Sequence, residues 1–173
     1  MITPAYSITT RMTYSRITGF TFLFYIAAGI LSLSLSDELP VTDLLILLLN
    51  LSALVLGVTL YMLTREQGPA IALLALTFRI MEAIHEQSAI FFAVGSLLFC
   101  WLLLRGQMIP AALAWLGVIA SALLVVILPL QLAGVLTGTG WSDSITWFVW
   151  LPMLVFEVTF SIWLFVKGVR AEK

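Results

Sequence analysis

Charge is what this sequence has least of. Among its 173 residues only 10% are Asp, Glu, Lys or Arg, with eight basic side chains against nine acidic ones. A soluble domain carries about 25% charged residues, so an ordinary water-solvated fold is excluded. The lack of a basic excess argues against nucleic acid as a partner. Low charge with high hydrophobicity is also the opposite of the composition that leaves a chain disordered.

Cysteine and histidine are almost missing too. The one cysteine, Cys100, lies in the apolar run Leu97 to Leu104, which excludes an intrachain disulfide or a cysteine-based metal cluster. The one histidine, His85, excludes a haem held by two histidines or a His-rich metal site built from this chain alone. The six methionines form no metal-binding pairs. Neither a Gly-rich phosphate loop nor a Gly-x-Ser-x-Gly elbow occurs. No metal and no cofactor is expected.

What remains is apolar. Hydrophobic residues make up 62% of the chain and the mean hydropathy is +1.13. A helix needs about 20 mostly apolar residues to cross the hydrocarbon core, and four such runs stand out: 17–36, 44–64, 110–133 and 145–166. The stretch between Pro69 and Leu104 would be about 54 Å long as one helix, nearly twice the hydrocarbon thickness. Two spans, 69–86 and 88–104, joined by a tight turn at His85 to Ser88, fit better.

Basic loop residues, which accumulate on the cytoplasmic side, support that division. With six spans Arg11, Arg16, Arg65, Arg105, Lys167, Arg170 and Lys173 all fall on one side, while Asp37 to Asp43 and Thr137 to Ser144 contain no Lys or Arg. The expectation is an all-α polytopic membrane protein, a single domain over 1–173 forming a six-transmembrane-helix bundle with both termini cytoplasmic. A multi-pass position in the cell membrane, the inner membrane of a bacterium, follows. The first span exceeds the roughly 7 to 15 apolar residues of a signal peptide and is expected to stay as an anchor.

Several polar and aromatic residues have ordinary readings. Trp141, Trp147 and Trp150 suit an interfacial aromatic belt, and Trp101 an anchor at the other face. Pro129 and Pro152 are expected to bend their helices. Asn50, Ser52, Gln131, Thr159 and Ser161 are candidates for hydrogen bonds across helices or to their own backbone. Tyr6, Tyr14 and Tyr25, with Arg11 and Arg16, read as an N-terminal approach to anionic lipid.

The misplaced charges are more informative. Arg79 lies ten residues into its span from Pro69, and Glu157 lies ten residues before Lys167. Each is therefore about 15 Å from the basic side, near the midplane. A lone charge there costs at least about 2.5 kcal/mol, so such groups turn inward and find partners. An Arg79–Glu157 pair is the economical solution. Glu82 and Glu86 follow Arg79 on one helical face, and His85 is displaced from it by about 120°. Arg79, Glu82 and Glu157 are thus the candidate intramembrane polar site or ion pair, with His85 and Glu86 as an outer polar stripe.

Two readings compete. Arg79 forks between Glu82 and Glu157 and merely locks helices together, or the same groups line an outward-opening cavity for a small molecule, a lipid headgroup or a proton. In the first case the chain is an accessory or scaffold subunit of a larger membrane complex, with other membrane subunits as partners beside the lipid bilayer. In the second a carboxylate is a candidate proton carrier or general acid. A membrane enzyme acting on lipid or isoprenoid substrates is a third reading, but the clustered carboxylates that hold hard cations are missing.

Four segments carry a resemblance: Thr18 to Tyr25, Phe78 to Ala83 with its Arg and Glu, Leu102 to Pro110 with Leu116-Gly117, and Phe156 to Gly168. Their order resembles a bacterial family of integral membrane proteins designated domain of unknown function 4386. The resemblance implies a six-helix fold and names no reaction. Here the connection at His85 to Ser88 is shorter than is usual in that family, and Ala111 stands where a basic residue commonly follows the loop proline.

Overall fold

In the computed structural model, residues 8–35, 40–85, 87–136 and 143–169 are described. Among these residues there are six α-helices and no strand: α1 (Ile8–Ser34), α2 (Pro40–Thr64), α3 (Pro69–Ile84), α4 (Ser88–Arg105), α5 (Ala111–Leu132) and α6 (Asp143–Val166). The break between α3 and α4 falls at the expected turn. Five helices, all except α3, are long and apolar enough to cross a membrane. The chain is a multi-pass membrane protein. The sixth expected span does not meet that measure, because α3 has 16 residues and is about 24 Å long against a core of about 30 Å.

Each helix packs against its neighbours in sequence, and α6 returns to α1, so the contacts close on themselves. The residues on each helix sort by solvent. On α2 the exposed stripe is Leu44, Leu47, Leu51, Val55 and Val58, at helical spacing, while Ala53, Leu56, Leu60 and Leu63 are buried. On α1 the buried stripe is Ser15, Thr18, Phe22 and Ala28. With hydrocarbon outside, large apolar side chains occupy both faces, and the interior is distinguished by the small and polar residues mixed among its leucines and phenylalanines.

Buried hydroxyls are satisfied locally. Thr18 donates to the Tyr14 carbonyl at 2.8 Å, Ser121 to that of Gly117 at 2.7 Å and Thr59 to that of Val55 at 2.8 Å. Of the polar residues singled out from the sequence, Ser52, Thr159 and Ser161 bond back to the carbonyls of Leu48, Val155 and Glu157. Gln131 instead crosses from α5 to Thr146 on α6, at 3.3 Å. Pro129 and Pro152 both lie within their helices.

Contacts between loops show which helix ends lie together. Arg11 forms an ion pair with Glu66 in the turn after α2, and Gln67 lies against Gly106 after α4. After α6 the backbone reverses at Gly168, whose φ of +69° suits glycine. The next N–H, of Val169, then donates to Ser15 on α1 at 3.2 Å. Arg11, Arg16, Arg65, Arg105 and Lys167 therefore share one end of the molecule, as the sequence grouping requires. Arg170, Lys173, Asp37, Glu38, Tyr6, Trp141 and the loop at 137–142 lie outside the described residues.

Closure of α6 on α1 depends on Gly19. A Cβ there would stand 2.7 Å from the Ser161 carbonyl oxygen and 2.9 Å from the Phe165 nitrogen, whereas one at Gly29 would meet nothing nearer than 4.0 Å. Backbone cannot yield as a side-chain tip can, so Gly19→Ala is expected to destabilise by about 1–3 kcal/mol. Gly29→Ala is expected to be neutral or to stabilise by up to about 1 kcal/mol, since alanine is the better helix former. Thermal unfolding of the two variants in the same mild detergent checks the difference.

Candidate functional site

Helix α3 points an unusual face at its neighbours: Ala72, Ala75, Arg79, Glu82 and Ala83 are its buried residues. The alanines let the backbones approach, and room for Arg79 comes from glycines on both sides. A Cβ at Gly57 of α2 would lie 2.9 Å from Arg79 Cβ, and one at Gly95 of α4 would lie 3.3 Å from Arg79 Cδ. The side chain of Arg79 is 1% exposed. Its guanidinium carbon lies 5.2 Å from the centre of the Phe92 ring, within range for a cation–π attraction that strengthens when water is excluded.

Arg79 Nη1 is 2.7 Å from Glu82 Oε2, one turn along the same helix. This is an ion pair by distance without hydrogen-bond alignment, and all three guanidinium nitrogens lack a hydrogen-bond partner. The other Glu82 oxygen, Oε1, accepts a hydrogen bond from the Tyr25 hydroxyl of α1 at 2.9 Å.

Glu157 departs from the expected pairing. It is buried on α6, its Oε1 has no hydrogen-bond partner, and it forms no ion pair with Arg79. Glu82 wins that contact because it sits on the same helix within reach of the guanidinium, and Phe92 caps the cation. The three residues singled out from the sequence are brought into one region, with Arg79–Glu82 as the pair and Glu157 left over.

A cavity of about 210 Å³ joins these groups, lined by Tyr25, Glu82, Ser88, Ala89, Phe92, Trp150 and Glu157. Ser88 and Ala89 begin α4, so the cavity lies towards the end opposite the basic loops. A larger cavity of about 590 Å³ runs beside it, lined by Ile30 of α1 and by Thr146, Trp147, Trp150, Leu151, Leu154 and Glu157 of α6. Trp150 and Glu157 border both. Among the described residues no three His, Cys, Asp or Glu side chains are grouped to hold a metal ion.

His85 does not join the site. It ends α3 with an extended backbone, its Nδ1 accepts the Gln87 N–H at 3.1 Å, and its ring meets Phe91 edge-on at 5.0 Å. Its part in an outer stripe reduces to shaping the turn, while Glu86 lies outside the described residues. Two members of the site were assigned elsewhere by sequence. Tyr25 was grouped with the N-terminal anchor, yet it continues the Ser15–Thr18–Phe22 stripe at helical spacing, which is the signal that finds it. Trp150 was placed in the interfacial belt, and it packs on Phe92 with ring centres 5.9 Å apart.

Residues 84–168 match the family model for a domain of unknown function (DUF4386). The resemblance read from the sequence holds for this stretch, which runs from the last residue of α3 to Gly168. The DUF4386 match therefore includes Trp150, Glu157 and the helix-ending Lys167-Gly168, whereas Arg79, Glu82 and Tyr25 precede it. No curated protein and no solved structure matches this chain.

The ion pair makes a direct test possible. Arg79→Met removes the guanidinium that pairs with buried Glu82, and stranding a buried charge costs about 3–5 kcal/mol. Adding Glu82→Gln to Arg79→Met is expected to recover at least half of that loss. Unfolding free energies of the two single variants and the double variant, measured in one detergent, give the coupling.

Proposed function

We propose that this protein is a six-span membrane protein of the bacterial inner membrane, with both termini cytoplasmic, whose Arg79, Glu82 and Glu157 form an interior binding site reached from the outer side. The observation that carries this reading is Glu157 Oε1, an acceptor buried without a partner at the boundary of two cavities. A purely structural pair would bring all the charged atoms together and leave no cavity between them. Here Glu157 borders both cavities while its Oε1 is buried without a partner, and buried polar groups in native proteins are nearly always satisfied. The missing partner is supplied by what enters: a proton, water or a small polar group.

Arg79 holds the site in place rather than serving as its contact surface, because it is fully enclosed and does not line either cavity. What the smaller cavity presents is acidic and aromatic. Arg79 is paired with Glu82, which leaves Glu157 as the acidic side chain of the site without an ion pair. The site therefore favours cationic or hydrogen-bond-donating occupants over anions.

A thiol placed inside the cavity tests access and charge together. In a Cys100→Ser background, Ala89→Cys is expected to react with membrane-impermeant thiosulfonates, severalfold faster with a trimethylammonium reagent than with a sulfonate. Adding Glu157→Gln is expected to shrink that ratio. An unreactive Ala89→Cys, or a ratio indifferent to Glu157, would favour a scaffold subunit with a structural ion pair.

The six-span topology has its own test. Lys and Arg loops stay on the cytoplasmic side, so a reporter fused after Lys173 is expected to be active only if it works in the cytoplasm. Periplasmic activity at that fusion would overturn the orientation.

A further inference from the structure

We infer that the occupant is an amphiphile with a primary ammonium head, the head held at Glu157 and an acyl or alkyl tail lying in the α1–α6 cavity. This rests on the interior binding site proposed above and names its ligand class. The two cavities are the basis. They share Trp150 and Glu157, so a polar chamber and an apolar one meet at a carboxylate. The volume of the apolar chamber, about 590 Å³, falls within the roughly 300–1,000 Å³ usual for ligand cavities.

The walls of that chamber indicate the route of entry. Trp147 is 64% and Leu151 49% exposed on the outer surface of α6, and Ile30 of α1 is 56% exposed across from them. That surface faces hydrocarbon in a membrane protein, so the chamber opens sideways to lipid, where an apolar chain already resides. Leu154 and Glu157 then lie successive turns deeper along the same helix face. A molecule entering head first from the bilayer passes apolar wall and meets a carboxyl at the end, its tail trailing in the chamber.

The chemistry of the head follows from the groups that await it. Glu157 Oε1 is an unpartnered acceptor, and the Tyr25 proton is already committed to Glu82. Among the described residues the nearby cation is Arg79, enclosed behind Phe92 and absent from both linings. An anionic head would therefore face two carboxylates without reaching the guanidinium. A head with one positive charge and several N–H donors complements the Glu157 carboxyl that borders both cavities, and a primary ammonium has both.

Heavy-atom quenching of tryptophan reads this out, since Trp147 and Trp150 line the chamber. The protein is placed in phosphatidylcholine nanodiscs and titrated with 11-bromoundecylamine, with 11-bromoundecanol as the neutral-head control. Saturable quenching is expected from the amine alone, and competition by dodecylamine but not by ethylamine. Glu157→Gln is expected to weaken it on the order of tenfold or more, the loss that accompanies removal of one partner of a buried charge pair. In case Glu157→Gln folds poorly, Leu151→Trp provides a second test. It narrows the tail chamber and is expected to weaken binding of the long-chain amine severalfold, read by competition of dodecylamine against the bromo-amine; unchanged binding overturns the tail assignment. Nanodiscs containing phosphatidylethanolamine separate two sources of the same head, because loss of amine binding there assigns the ammonium to a lipid headgroup and its persistence to a free amphiphile. Equal quenching by amine and alcohol, or quenching unchanged by Glu157→Gln, overturns the inference. If Ala89→Cys keeps its charge preference in that event, only the ligand class falls; if Ala89→Cys is unreactive, the interior site falls with it.

Discussion

A guanidinium held inside an apolar protein is the constraint around which this molecule is arranged. Arg79 carries a full charge, and an insertion cost of at least about 2.5 kcal/mol has to be offset by what surrounds it. Glu82 supplies the opposite charge from the next turn of the same helix, and Phe92 supplies the face of an aromatic ring. The long stem needs space as well. Gly57 and Gly95 provide it, one from each neighbouring helix. Four residues on three helices thus converge on one side chain, and the two glycines also let α2 and α4 approach Leu76, Phe78 and Ala75 of α3.

The same inversion of solvent explains how the rest of the chain packs. Lipid tails are as apolar as leucine, so burying leucine between helices gains little from the hydrophobic effect, and close backbone approach matters more. Gly19 lets α1 meet the backbone of α6, and Ser15 pins the reversal after α6 back onto α1. These two contacts close the circuit of helices. Closure is what gives the molecule an interior where α1, α3, α4 and α6 can each contribute to one cavity.

How far the sequence discloses this depends on the range of the interaction. Helix positions depend on runs of apolar residues, which are local, and the break at His85 to Ser88 emerges because a single helix would be too long for a bilayer. The side-by-side grouping of Arg11, Arg65, Arg105 and Lys167 is equally local, since each loop declares its own charge. Which carboxylate pairs with Arg79 is not local in the same way. Depth alone favours Glu157, and proximity along α3 favours Glu82; only the packing decides. Tyr25 and Trp150 were read by residue type, as anchor and belt, although helical spacing places Tyr25 on the buried stripe of α1. In a membrane chain the more reliable question is which face of the helix a polar residue shares, not which class it belongs to.

Helix lengths connect the buried charge to an accessible cavity. At about 1.5 Å per residue, α3 and α4 are roughly 24 and 27 Å long, whereas α1 and α2, with 27 and 25 residues, reach nearly 40 Å. The basic ends of these helices are held together by Arg11–Glu66 and by Gln67 against Gly106, so the difference accumulates at the opposite end. By length α3 and α4 fall about seven residues or more short of α1 and α2 there. Glu82 is only two residues from the end of α3, and Ser88 and Ala89 at the start of α4 line the cavity beside it. A hairpin too short to span comfortably thereby leaves a vestibule above the charged residues. A full-length α3 would bury Glu82 under another turn of helix, so the shortness that makes α3 a poor transmembrane helix is also what leaves Glu82 two residues from the helix end, beside the cavity.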